Sequence, residues 1–141
     1  MWPNTFALRL QSWSTLRHRC QDLDTKSALE AINAWWFQSP WCAYYLHWDD
    51  KQTWPDPWQL LSDNVFCDVA RGLGIMYTIA MLEREDLEDS CLIDNGEYNL
   101  VLAHQEKYIL NWDQSSIVNI NLGPIQPRRS VSQHQILAQL K

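Results

Sequence analysis

The sequence predicts an α+β domain in which a central helix packs on an antiparallel β-sheet. Three observations lead there. Residues 56–74 carry a helix pattern with a marked start and stop, residues 75–82 form an uninterrupted apolar run, and residues 91–122 alternate short apolar segments with turn signals such as Asn95-Gly96. Helical patterns come first and strands afterwards, which is the order of α+β folds. At 141 residues the chain reads as a single domain, 1–141, long enough to bury a core without disulfides or metal. Residues 1–22 read as an N-terminal arm or helix, and 124–141 as a C-terminal extension.

The first helix is expected from Asn4 to about Cys20, where Phe6, Leu8, Leu10, Trp13 and Leu16 recur at loosely helical spacing. A clearer one runs from Thr25 to about Phe37, capped by Asp24, with Ala28, Leu29, Ile32, Trp35 and Trp36 on one face. Ser39-Pro40 stops it. Residues 41–47 read as a strand, and 48–53 as a polar loop into the central helix.

The central helix opens with Asp56, whose carboxylate can accept from the free amides of the first turn, and Pro57, whose missing N–H costs nothing at the first helical position. Leu61, Val65, Val69 and Leu73 repeat every fourth residue as one apolar stripe. Gly72 and Gly74 are the expected stop. The run from Ile75 to Leu82 then has the β-branched and aromatic content of a buried strand.

Glu83 to Asp89 is an acidic, solvated connection. Cys91 to Leu100 carries the Asn-Gly signature of a tight hairpin. Asn99–Ala103 and Lys107–Trp112 read as strands joined by His104-Gln105-Glu106, and a further short strand is expected from Ile117 to Leu122. Gly123-Pro124 and Pro127 break the pattern. Ser130-Val131-Ser132-Gln133 resembles a capping box ahead of a short helix through Leu140.

Composition narrows the functional classes. Seventeen acidic against eleven basic residues give a net charge of −6, which argues against a nucleic-acid partner, since that needs a basic face. No stretch reaches the roughly 18 consecutive apolar residues of a membrane span, and Met1-Trp2-Pro3-Asn4 does not open a secretory signal. Cys20, Cys42, Cys67 and Cys91 lie too far apart for a zinc pattern. Free thiols in a cytoplasm are therefore expected, with no cofactor. Nine tryptophans are a several-fold enrichment; indoles serve cores, protein interfaces and sugar sites alike.

His47, Asp49 and Asp50 form the densest ligand-type cluster, but they lack a further ligand nearby and read as a solvated loop rather than a metal site. No GxGxxG, Walker loop, GxSxG or HExxH occurs. Asp113, at the end of a strand, reads as the cap of the Gln114-Ser115-Ser116 turn.

A helix, then a strand, then a hairpin ending in Asp113 resembles the core of transglutaminase-like and papain-like cysteine enzymes. Leu73-Gly74-Ile75 looks like that family's helix end and Asn111-Trp112-Asp113 like its Asp-bearing strand end, over about residues 55–115. The resemblance implies a Cys at the N-terminus of the central helix, a His opening one strand and an Asp closing the next. Counted back from the helix-ending glycine, the nucleophile falls on Trp58 or Gln59. Cys67 then lies mid-helix, without the exposed amides and dipole end that activate a thiol, and reads as an inert core residue. Hairpin pairing puts Glu97 or Tyr98 opposite Asp113, with His104 at the far end, roughly 20 Å away. The site implied is a degenerate one, and catalysis through Cys67 and Asp113 is the alternative.

A second resemblance is to small proteins of tailed, especially marine, bacteriophages. It rests on Ala34-Trp35-Trp36, the stretch from Trp54 to Leu61, Cys67-Asp68-Val69-Ala70-Arg71-Gly72-Leu73-Gly74 with Tyr77-Thr78, and Lys107 to Trp112. It implies a viral protein made in a host cytoplasm, or carried in a virion. The expected function is thus a non-catalytic structural or accessory one, acting on a protein partner or on a second copy through a Trp- and Tyr-rich surface of Trp54, Trp58, Tyr98, Asn99 and Trp112. Trp58 is expected to be buried and Trp54 partly exposed. A cysteine hydrolase or acyl transferase using Cys67, and a carbohydrate-binding module, are the alternatives.

Overall fold

The computed structural model describes residues 2–43, 46–118 and 125–138. Helix α1 (Phe6–Gln21) starts at Thr5, whose hydroxyl accepts from Leu8 N, and α2 (Thr25–Trp36) starts at Asp24, whose carboxylate accepts from Ser27 N. Helix α3 (Pro57–Asp63) has the expected start, with Asp56 accepting from Gln59 N at 2.8 Å and Pro57 in the first turn.

The predicted central helix is two helices. Asn64 adopts the left-handed conformation (φ 56°, ψ 40°) and closes α3; a short polar side chain tolerates this conformation better than most. Val65 and Phe66 follow outside any helix. Phe66 forms a parallel bridge with Trp41, and Cys42 N donates to Phe66 O at 2.6 Å. Phe66 is buried, edge-on to Trp2 and Trp36. A second helix, α4 (Asp68–Leu82), starts at Cys67 as its N-cap.

Two expectations are thereby corrected. Gly72 and Gly74 lie inside α4, and the run from Ile75 to Leu82 is helical, not a strand. A continuous apolar run does not distinguish a buried strand from a buried helix. Here neighbours on every side decide it: α4 touches α1, α2, α3 and α5 as well as three strands. A helix apolar all round is a core helix. Residues 41–43 and 46–47 form no strand beyond the single Trp41 bridge; residues 44–45 of that expected strand lie outside the described residues.

The sheet is antiparallel, in the order β4-β3-β2-β1-β5: β1 (Cys91–Asp94), β2 (Asn99–Ala103), β3 (Tyr108–Asp113), β4 (Ser116–Val118) and β5 (Arg129–Ser132). The predicted hairpin forms: Asn95 Oδ1 accepts from Glu97 N and Tyr98 N, and Gly96 takes a positive φ of 97°. The second hairpin turns at His104-Gln105-Glu106, its amides at His104 and Gln105 held by the Asp89 carboxylate. Leu92, Val101, Leu110 and Val131 belong to the main core, while Ile93, Leu100, Leu102 and Ile109 form a smaller cluster with Ile125 packed against it.

Residues 129–132, within the expected C-terminal extension, add the edge strand β5 beside β1. Helix α5 (Gln133–Ala138) has its capping box two residues later than expected: Ser132 Oγ accepts from Gln135 N, and Gln135 Oε1 from Ser132 N. The continuation of the β4 strand to Leu122, the Gly123-Pro124 break and the helix beyond Ala138 lie outside the described residues.

Candidate functional site

The break between α3 and α4 creates the site. Ending one helix at Asn64 and starting another at Asp68 puts Cys67 at a helix N-terminus, where the sequence pattern had suggested mid-helix. Cys67 is 5% exposed and its side chain makes no capping hydrogen bond. It lines a cleft of about 620 Å³ with Asp68 and Val69 of α4, Asp94 and Asn99 at the facing ends of β1 and β2, Trp41 and His47 of the segment before α3, Trp48 at the start of the 3-10 turn over 48–53, and Arg128 and Arg129 at the start of β5.

Asn111 sets the geometry. A positive φ of 68° turns its side chain inward. Its Nδ2 donates to Asp68 O (2.9 Å) and Asn99 O (2.8 Å), tying the first turn of α4 to the start of β2. Its Oδ1 accepts from Arg71 Nε at 2.6 Å, and its N–H donates to Asn33 Oδ1. Arg71 Nη2 also meets Asp68 Oδ1 at 3.1 Å, and its guanidinium lies 3.9 Å from the Phe37 ring centre and 5.8 Å from that of Trp41. Burial lowers the Arg71 pKa, opposed by the negative charge of Asp68 and by Cys67.

On the opposite wall, Asp94 accepts from Gly96 N and, at 3.0 Å, from Arg129 Nη2. Arg129 reaches Asp49 as well, at 3.2 Å. Asn99 Oδ1 accepts from Trp48 Nε1 at 2.8 Å. Among the described residues no group of three or more His, Cys, Asp or Glu side chains is arranged to hold a metal ion.

The expected site residues are dispersed. Asn99 and Cys67 share the cleft. Asp113 does not enter it: its carboxylate accepts from Ser115 N at 3.0 Å, as the turn-capping reading has it. Tyr98, which lies between the cleft residues Glu97 and Asn99 in sequence, packs edge to face on Trp112 with ring centres 4.6 Å apart. Trp54 and Trp58 exchange their expected roles. Trp54 is 6% exposed, donates to His47 O at 2.9 Å and packs on Trp48; Trp58 is 43% exposed. The row from Trp58 to Leu61 and Val65 does not exist as a helical stripe, because α3 ends at Asp63.

Trp41, Arg71, Asp94, Asn111, Arg128 and Arg129 were not among the expected site residues. Asn111 had a signal, being an Asn flanked by apolar strand residues; the others meet only through tertiary pairing. No helix among the described residues is long and apolar enough to cross a membrane. Comparison with family models, curated proteins and solved structures finds no match for this chain.

Proposed function

We propose that this chain is a non-catalytic structural or accessory protein of bacteriophage type, built on a degenerate transglutaminase-like core. Its interaction surface runs from the cleft at the start of α4 around the β1–β2 hairpin to Tyr98 and Trp112. The observation that carries the reading is Asn99. It opens β2 directly after Glu97 and Tyr98, the positions at which the resemblance calls for a histidine, and its carboxamide oxygen is engaged by Trp48. A carboxamide cannot take a thiol proton at neutral pH, so the strand offers Cys67 no general base. Asp113, the residue closing β3, is occupied in its own turn. The host cytoplasm or the viral particle is the setting this reading implies. A partner protein or a second copy would meet the exposed indoles of Trp58 and Trp112.

One observation favours the enzyme alternative: Cys67 stands at a helix N-cap, and His47 lines the same cleft. Iodoacetamide labelling of the folded protein at neutral pH, with mapping of adducts, separates the two. The expected result is that Cys67 reacts no faster than the half-buried Cys42, and that Asn99→His, which puts an imidazole on the cleft wall, speeds its labelling about tenfold or more. Rapid labelling of Cys67 in the unmodified chain, slowed by His47→Ala, would establish the hydrolase or acyl-transferase reading instead.

A further inference from the structure

We propose that the cleft at the start of α4 binds a neutral saccharide, with a sugar ring stacked on Trp41; the proposal rests on the non-catalytic reading and names the ligand class of that cleft. Trp41 is 61% exposed, more than the other large apolar side chains that reach the surface among the described residues. It is nonetheless held in place. Its backbone pairs with Phe66, and its ring sits by the Arg71 guanidinium, which Phe37, Asp68 and Asn111 fix from other sides. An indole presented on a fixed mount is a stacking platform that costs little further entropy to use.

The polar lining selects the class. Four carboxylates (Asp49, Asp68, Asp94, Glu97) and two guanidinium groups (Arg128, Arg129) line the space, with Arg71 paired to Asp68 behind it, so it carries both signs with a slight excess of negative charge. A phosphate or carboxylate ligand meets that excess at a cost in repulsion. Hydroxyl groups do not, and they both donate and accept. Donors are available: the Asn99 amide nitrogen and the Arg128 guanidinium have no acceptor among the described residues, and no side chain caps the first-turn amides of α4. Acceptors are the carboxylates of Glu97 and Asp68. The Cys67 thiol, 5% exposed and without a side-chain capping hydrogen bond at the start of α4, lines the same space. A volume of about 620 Å³ falls in the range of small-ligand sites, roughly 300–1,000 Å³.

The test is an amide and indole NMR titration with maltotetraose and, separately, chitotetraose, each to about 10 mM, a range that captures weak millimolar sites. The expected result is that at least one of the two shifts the Trp41 indole and the amides of residues 67–69 and 96–99. Trp41→Ala should then weaken binding about tenfold or more, while Phe6→Ala, which removes an exposed ring of α1 outside the cleft, leaves it unchanged. Trp41 is exposed, so its variant folds. No shift with either sugar, shifts that persist undiminished in Trp41→Ala, or tighter binding of glucose 6-phosphate than of glucose would each overturn the proposal. These results are distinct from failure of the non-catalytic reading, which appears as rapid alkylation of Cys67 whether or not sugars bind.

Discussion

The six-membered ring of Trp36 lies directly on Gly74, so that a Cβ built on that glycine would stand 2.5 Å from Trp36 Cη2 and Cζ3. The contact joins α2 to α4 and is reinforced one turn on. Thr78 Oγ1 accepts from Trp36 Nε1 and Trp13 Nε1, each at 2.9 Å, and donates to Gly74 O at 2.8 Å. Two indole N–H groups that burial would otherwise leave unpaired are satisfied by one hydroxyl, which is how a core can hold two fully buried tryptophans.

Gly74→Ala should therefore destabilise the fold by about 2–3 kcal/mol, because Trp36 is wholly buried and cannot swing aside. Gly72→Ala is the control. Its Cβ would meet Leu92 Cδ1 at 2.7 Å and Asn111 Nδ2 at 3.1 Å, the first being the end of a flexible side chain. The gain of about 1 kcal/mol in helix propensity offsets part of that crowding. Urea melts of the two variants should rank Gly74→Ala as clearly worse. Equal effects would mean that the Trp36 ring relaxes freely.

A second pair of melts concerns the tryptophans flanking the start of α3. Trp54→Ala removes a buried indole with its hydrogen bond to His47 O and its packing on Trp48. It should cost about 3–5 kcal/mol, the range for large aromatics lost from a core. Trp58→Ala removes an exposed ring and should cost under about 1 kcal/mol. A reversed order would place Trp58, not Trp54, in the core.

These residues also mark how far the sequence could be read. Local chemistry was legible: the caps at Asp24 and Asp56, and the Asn95-Gly96 turn, formed where the residue types require them. The two glycines were misread because a glycine before an apolar run looks like a helix stop when only neighbours in sequence are considered. Their actual role is set by Trp36, Leu92 and Asn111, each distant along the chain. The true stop is Asn64, a residue type that tolerates the left-handed cap, and missing it displaced Cys67 from the helix start to the helix middle. The candidate site inherited that error. Trp41 joins it only through the Phe66 bridge, and Arg129 meets Asp94 only through the pairing of β1 with β5, for neither of which a local signal exists.

A final prediction concerns acid stability. Asp86 accepts from Arg84 Nη2 at 2.7 Å, from Arg84 Nε through its other oxygen at 3.0 Å, and from Thr25 Oγ1. Arg84 Nη1 in turn donates to Cys20 O and Leu23 O, so the carboxylate anchors the guanidinium that ties the end of α1 and the α1–α2 loop to the turn after α4. Partial burial pushes the Asp86 carboxyl upward, but the hydrogen bonds from Arg84 and Thr25 and the charge of Arg84 outweigh it and hold its pKa below the ordinary value. A depressed native pKa means stability that is fully present above the unfolded-state value, near 3.9 on the usual scale, and lost as pH falls through the native one. Asp86→Asn should thus cost about 1–2 kcal/mol at pH 7, allowing for the solvent that reaches a surface pair. The gap between the variant and the unmodified chain should close as both are melted at pH 4, 3 and 2. A cost that stays constant across that range would mean that Asp86 acts through packing and neutral hydrogen bonds, with no contribution from its charge.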